Sequence, residues 1–308
     1  MTLRIDAVHH HDDFDGVVAA GMLVAWQSRP LATRPVTYGA RGEWLQEPLV
    51  GAVAVVDFLF RPDAALWIDH HDTTFQAHGS PSDYAADEFH VWDPSAESCP
   101  AVIAQRPWFP NELRDRFREW VRWADVVDSA LYESPRQALD LENPYLRFAS
   151  SISRWVHEPV GAEIVRVVAS GSVREVLEHS RVSRAVEAVI EDRDLVSSFA
   201  LMESRLRGAA VLFDQGDIQA AYQRYLPYQR YPECSWSVAI YRAKHGFVVS
   251  VGENPWNRPL VPVHLGHLCE RHGGGGRQQT AGIPAATKSE ALRLAESVLT
   301  ELGELGLG

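Results

Sequence analysis

The chain has 308 residues, 46% of them hydrophobic, and a formal net charge of −12. That is enough apolar material for two ordinary domains with their own cores, while the acidic surplus argues against tight binding to a long duplex, which depends on neutralising many phosphates. No apolar run approaches the roughly 20 residues of a membrane span, and the N-terminus lacks the basic and apolar regions of a signal peptide. Three scattered cysteines make neither a disulfide framework nor a Cys-based zinc site, so a cytoplasmic protein is expected.

Ile5-Asp6-Ala7-Val8 reads as a strand running into His9-His10-His11-Asp12-Asp13-Phe14-Asp15-Gly16. His9, His11, Asp13 and Asp15 share one parity, so in an extended chain these four point the same way while His10, Asp12 and Phe14 point away. Gly16 then permits a tight turn, and Val17–Leu23 begins a helix whose N-terminus favours an anion such as phosphate. Val53–Val56 reads as a second strand ending in Asp57, and Ala64–Ile68 as a third ending in Asp69-His70-His71. Short apolar strands alternating with helical stretches over residues 1–130 make the pattern of a parallel α/β sheet. The carboxyl ends of such strands line one crevice, so these distant segments can converge there.

Asp93–Cys99 is a turn opening a helix, with Ser95 or Ser98 as N-cap. Leu113, Phe117, Trp120 and Val121 recur at helical spacing over Asn111–Trp123, leading into Asp125 and Asp128. Residues 143–205 are rich in helical spacing, notably Ala162–Ala169 and Val173–Leu195. A boundary falls near Ser197–Gly208, giving a domain over 1–200 that includes a helical linker and a smaller α/β domain over 201–308. In the latter, Ala209–Phe213, Trp236–Tyr241 and Phe247–Val251 read as strands and Glu290–Leu302 as a closing amphipathic helix. Tyr222, Tyr225, Tyr228 and Tyr231 could stack on bases, but Pro227 and Pro232 interrupt the segment and ordinary packing is the better reading. Residues 1–202 hold 18 Lys+Arg against 31 Asp+Glu, and 203–277 hold 9 against 6. The first part is acidic as a metal-loaded half would be, and the second mildly basic as a phosphate-receiving half would be.

Imidazoles and carboxylates at several strand ends are what a pair of divalent ions needs. Two metals about 3.5–4 Å apart can activate a water and clamp a phosphoryl group. His9 or His11 with Asp13 would ligate one ion, and Asp15 with His70 the other, with Asp57 and Asp128 as candidates for a shared carboxylate. Parity cannot choose between His9 and His11; His9, nearer the strand end proper, is slightly preferred. Mixed carboxylate and imidazole ligands suit Mn²⁺, with Mg²⁺ as the alternative. In His272-Gly273-Gly274-Gly275-Gly276-Arg277, successive glycines let backbone N–H groups approach a phosphate or base closely, and Arg277 adds a bidentate grip.

These segments, in this order, resemble the motifs of the DHH phosphoesterases. The set is His9 or His11 with Asp13-Phe14-Asp15-Gly16, then Asp57 closing an apolar strand, then Asp69-His70-His71, then Asp128-Ser129. Gly274-Gly275-Gly276-Arg277-Gln278-Gln279-Thr280-Ala281-Gly282 resembles the glycine-rich signature of the associated C-terminal domain, with Arg277 where a His is usual. The resemblance covers most of the chain. It implies a parallel-sheet N-terminal domain with two Mn²⁺ (or Mg²⁺) ions, His71 beside the phosphate with Asp69 orienting the histidine pair, and substrate held by Gly274, Gly275, Gly276 and Arg277 in a cleft between domains. Its implied substrates are short RNA oligonucleotides or the bisphosphate pAp. Cyclic dinucleotides come next, then pyrophosphate or polyphosphate. The competing non-enzyme is a nucleotide-binding regulatory protein with a degenerate site. No long duplex or membrane partner is expected, and a homodimer is possible.

Overall fold

A computed structural model describes residues 3–75, 84–152, 154, 161–216, 224–243 and 246–305. Contacts divide the chain into two compact units. One comprises Met1–Tyr132 and Asp140–Val186, the other Glu133–Leu139 and Glu187–Gly308.

The first unit is built on a parallel sheet of β1 (Ala7–His11), β2 (Ala32–Val36), β3 (Val53–Val56), β4 (Leu66–Asp69) and β5 (His90–Trp92), in the order β2-β1-β3-β4-β5. Every residue of β3 and β4 is buried, which is why their sequences read as unbroken apolar runs; a parallel strand covered on both faces has no polar side to show. Alternate residues divide between two cores. Val8, Ala54, Val56, Leu66 and Ile68 face one, with Phe117, Trp120 and Phe148. Val53, Val55 and Trp67 face the other, with Trp44, Phe58 and Phe75. Burying one such side chain stabilises the fold by roughly 1.5–3 kcal/mol. β1 is flanked by β2 and β3, so the direction of winding reverses there, and the carboxyl ends of β1, β3 and β4 lie side by side at the reversal. Crevices of this kind are where open α/β sheets hold ligands.

The helices of this unit are α1 (Phe14–Gln27), α2 (Arg41–Gln46), α3 (Cys99–Ala104), α4 (Asn111–Asp128), α6 (Pro144–Ile152), α7 (Ala162–Ser170) and α8 (Val173–Glu178), with α5 (Pro135–Ala138) grouped with the second unit. α1 begins three residues earlier than its apolar run suggests, because Asp13 caps it: its carboxylate accepts the Gly16 N–H at 2.9 Å. The paired strand ends at His11 and the extended backbone at Asp13, so Asp15 already lies in the first turn of α1 and the alternation expected of His9, His11, Asp13 and Asp15 does not run through all four. Gly16 lies inside the helix, not in a turn. A Cβ on it would come 2.3 Å from the His11 carbonyl oxygen, so glycine is required for close approach of α1 to the end of β1. The helix expected over Val173–Leu195 is interrupted at His179, whose backbone is extended (ψ 126°) and whose Nδ1 accepts the Arg181 N–H, separating α8 from α9 (Ser180–Glu203).

The second unit contains α10 (Leu226–Arg230), α11 (Leu265–Glu270), α12 (Lys288–Leu305) and a mixed sheet. Its strands are β6 (Arg205–Arg207), β7 (Ala210–Asp214), β8 (Trp236–Ala243), β9 (Gly246–Glu253), β10 (Gly275–Gly276) and β11 (Thr280–Ala285), in the order β10-β11-β9-β8-β7-β6. Among the described residues of this sheet, β7 and β8 pair in parallel and the other neighbours antiparallel. Ala291, Ala295, Val298, Leu299 and Leu302 of α12 are buried with Leu212, Val238, Ile240, Val249 and Val251 of the strands; their spacing of three and four is the stripe a helix presents to a sheet. Tyr228 is buried with its hydroxyl 2.8 Å from Ser237 Oγ, and Tyr225 packs edge-on to Trp256. These rings are thus part of the packing, while Tyr222 lies outside the described residues. No helix among the described residues is long and apolar enough to cross a membrane.

Candidate functional site

Three adjacent strand ends and two helix ends bring six of the seven candidate ligands together. His11 Nδ1, at the end of β1, lies 2.6 Å from Asp13 Oδ2 and 3.7 Å from Asp57 Oδ2. His70 Nε2, just past β4, lies 3.4 Å from Asp15 Oδ2, 3.4 Å from Asp128 Oδ2 and 3.7 Å from Asp57 Oδ1. Asp57 thus stands between two sets, His11 with Asp13 and His70 with Asp15 and Asp128. The ligand atoms of His11, Asp13 and Asp57 lie within 4.8 Å of one another, as do those of Asp15, His70 and Asp128.

His9 is the exception. Its Nδ1 accepts a hydrogen bond from Trp44 Nε1 at 3.1 Å, and the ring packs beside that indole. His11, two residues on, is stacked on Phe58 and met edge-on by Tyr38. His10 faces the opposite side and is fully buried. Its Nδ1 is 2.7 Å from the His11 carbonyl, so Nδ1 carries the proton, and burial holds the imidazole neutral with a pKa lowered to about 4.

The aspartates are unusual in what they lack. Asp57 is fully buried with φ +56°, a left-handed conformation uncommon outside glycine. Neither of its carboxylate oxygens has a hydrogen-bond partner, and neither do Asp15 Oδ1, Asp69 Oδ2 and His70 Nε2, all buried. Orphaned buried polar atoms are rare in native proteins, and these five belong to one group of neighbouring side chains. Burial first, then the neighbouring Asp15, Asp13, Asp69 and Asp128 carboxylates, drive the Asp57 pKa well above the ordinary value. Asp128 is pushed up to about 7 by burial and by Asp15 and Asp13. Burial opposes the charged form of His70, but the Asp15 carboxylate 3.4 Å away, then Asp128 and Asp69, outweigh it and raise the pKa to about 9. A concentration of negative charge that cannot neutralise itself is what a bound cation would relieve, and the donor set of imidazole and carboxylate suits a first-row divalent ion or Mg²⁺.

Each histidine is oriented by a second contact. His70 Nδ1 is 3.1 Å from the Ala96 carbonyl. A carbonyl only accepts, so in the neutral ring the lone pair is on Nε2. Asp69 Oδ1 accepts the backbone N–H groups of His70 and His71 and sits 2.8 Å from His71 Nδ1, which leaves His71 Nε2 as that ring's remaining group. Asp15 Oδ2 accepts the Cys99 N–H at 2.9 Å. The contributions of Ala96 and Cys99 escape sequence reading because they are main-chain groups with no side-chain signature. Trp44, which holds His9, carries no local signal either.

In the second unit the glycine-rich segment forms a hairpin. Gly275 and Gly276 pair with Gly282 and Ala281, and the Arg277 N–H donates to the Thr280 carbonyl at 2.8 Å. A Cβ on Gly274 would meet the Gly282 carbonyl oxygen at 2.2 Å, and one on Gly276, at φ +153°, would meet Ala281 Cα at 2.5 Å, whereas Gly275 faces open space. Two of these glycines are thus demanded by the hairpin's own packing. The Arg277 side chain is exposed.

No family model and no curated protein matches the sequence. Among solved structures, a pGpG-specific phosphodiesterase from Vibrio cholerae is similar at a TM-score of 0.75 and 20% identity, over 98% of this chain and 100% of that one. The DHH domain of a protein described as a member of a family of ribosomal proteins gives 0.63 at 15% identity, over 98% and 87%. RecJ from Thermus thermophilus, solved in complex with Mn²⁺, gives 0.57 at 12% identity, over 97% of this chain and 52% of that one. By fold, the chain stands with the DHH-domain proteins.

Proposed function

We propose that this protein is a divalent-metal-dependent phosphoesterase that hydrolyses short oligonucleotides, a linear dinucleotide foremost, or a small nucleotide such as pAp. The observation that carries the reading is the convergence of His11, Asp13, Asp15, Asp57, His70 and Asp128 around unpartnered, buried carboxylate oxygens. His11 and Asp13 would hold one Mn²⁺ or Mg²⁺ ion, Asp15, His70 and Asp128 a second, with Asp57 shared. When bound, such a pair supplies a water acidic enough to attack at neutral pH and neutralises the phosphoryl oxygens. His11 takes the place of His9 in this assignment, because Trp44 donates to His9 Nδ1 and so takes up the lone pair of that ring's neutral form.

The chain's own groups do the rest. Asp69 fixes the His71 ring through Nδ1, leaving Nε2 as the atom that would meet a phosphate oxygen, to which it donates a proton or hydrogen bond in the imidazolium form. The exposed Arg277 supplies a guanidinium for a phosphate other than the one cleaved, and Gly275 leaves room for close approach. The dinucleotide preference comes from the pGpG phosphodiesterase, which matches over its whole length. A screen with Mn²⁺ against pGpG and other dinucleotides, pAp, cyclic dinucleotides and pyrophosphate tests the proposal. Turnover of a linear dinucleotide or pAp, abolished by EDTA, is expected. Nucleotide binding without turnover of any of them would instead favour the regulatory alternative.

A further inference from the structure

Four consecutive residues, Ala96–Cys99, bond to Asp15, to His70 and to the two residues that bracket Asp128. The Ala96 carbonyl lies 3.1 Å from His70 Nδ1. The Glu97 carbonyl accepts from Ser129 Oγ at 2.9 Å. Ser98 Oγ donates to Asp125 Oδ1 at 2.6 Å and accepts the Ala101 N–H at 3.2 Å, capping α3. The Cys99 N–H donates to Asp15 Oδ2 at 2.9 Å. Asp125 and Ser129 bracket Asp128, one helical turn before it and one residue after it at the end of α4.

We propose that this segment is a clamp that positions Asp15, His70 and Asp128 for one metal ion, and that Ser98 is the positioning residue that locks it. The inference rests on the metal reading above. Each contact has a directional consequence. The bond to Ala96 leaves the His70 lone pair on Nε2, the atom facing Asp15 and Asp128. The bond from Cys99 occupies one Asp15 oxygen and leaves Oδ1 for a ligand. The two bonds to α4 fix that helix end against the start of α3, so Asp128 cannot slide relative to His70 unless they break. Ser98 is fully buried, and its single hydroxyl serves both the cap and the inter-helix bond. Among the described residues, the hydrogen bonds of the segment reach neither His11 nor Asp13, so the clamp is specific to one of the two ligand sets.

Groups that orient metal ligands typically contribute about 10–100-fold to affinity. Calorimetric titration of the metal-free full chain with MnCl₂, alongside Mn²⁺ EPR, reads this directly without turnover. Ser98→Ala should weaken one of two binding events by about 10–100-fold and leave the other unchanged. Ser98→Thr, which keeps the hydroxyl, should restore it. Ser172→Ala removes the same kind of cap from α8, and should lower thermal stability without changing Mn²⁺ affinity. Should Ser98→Ala fail to fold, Asp125→Ala, at a partly exposed position, removes the same inter-helix bond and should give the same selective loss. Wild-type-like binding of both ions by Ser98→Ala or Asp125→Ala, or an equal loss in Ser172→Ala, would overturn the clamp while sparing the metal reading. A wild-type protein that binds no Mn²⁺ would overturn both.

Discussion

Replacing Asp57 by asparagine should make the metal-free protein more stable and the metal-loaded protein less so. The side chain is fully buried, its two oxygens lack hydrogen-bond partners, and four other carboxylates surround it. Imidazoles of His11, His70 and His71 lie 3.6–3.7 Å away, yet the net effect on Asp57 is to resist ionisation. Leaving a buried polar group unsatisfied costs about 1–3 kcal/mol, and more when it is charged. Asparagine keeps the shape and tolerates φ +56°, whereas alanine there would add strain of about 1–2 kcal/mol. The amide is itself buried and unpaired, so the net gain is about 2 kcal/mol, or roughly 5 °C in Tm for a chain of this size. With Mn²⁺ at a hundred times its Kd, the wild type gains about 2.7 kcal/mol per ion, and the variant loses much of that. Thermal melts in EDTA and in Mn²⁺ should therefore cross over. A D57N protein that melts at or below wild type in EDTA would refute the account of Asp57 as a buried carboxyl whose ionisation the surrounding carboxylates oppose.

Other outcomes follow from the same geometry. Metal binding must displace protons from Asp128 (pKa about 7) and His70 (about 9), so Mn²⁺ affinity should rise between pH 6 and 9, with proton release measurable by calorimetry in buffers of different ionisation enthalpy; a flat profile would contradict it. Asp128 has its folded pKa raised, so in the metal-free protein its stabilising contribution is complete below about pH 4 and is lost as pH rises through about 7; chemical denaturation in EDTA across that window should show stability falling with pH. His11→Ala should reduce Mn²⁺ affinity at least tenfold, while His9→Ala should lower stability, through the lost Trp44 bond, with little effect on metal; equal losses would mean that both rings contribute. Arg277→Ala should raise KM by the equivalent of about 1.5–3 kcal/mol for a substrate with a second phosphate and leave kcat nearly unchanged; an equal fall in kcat for mono- and bisphosphorylated substrates would give the loop a catalytic or structural role.

The sequence alone determined the α/β class and which residues are acidic or basic at the ends of buried strands. That was legible because β3 and β4 are buried on both faces, so their apolar runs stop abruptly at Asp57 and Asp69. It also carried the stripe of α12, which depends on spacing within one element, and narrowed the cap of α3 to Ser95 or Ser98, of which the structure has Ser98. Which groups meet was decided by tertiary structure. Local alternation predicted that His9, His11, Asp13 and Asp15 would share a face, but Asp13 turns the chain into α1 and Trp44, 35 residues from His9, takes that ring out of the cluster. Asp128 is placed by α4 and the main-chain groups that orient His70 and Asp15 come from Ala96 and Cys99, far along the chain. A carbonyl or an N–H is present at nearly every position, so nothing in the residue type marks the ones that matter. The glycines of the hairpin likewise looked uniform in sequence, and only the pairing of β10 with β11 separates Gly274 and Gly276, required by backbone contact, from Gly275, which faces open space.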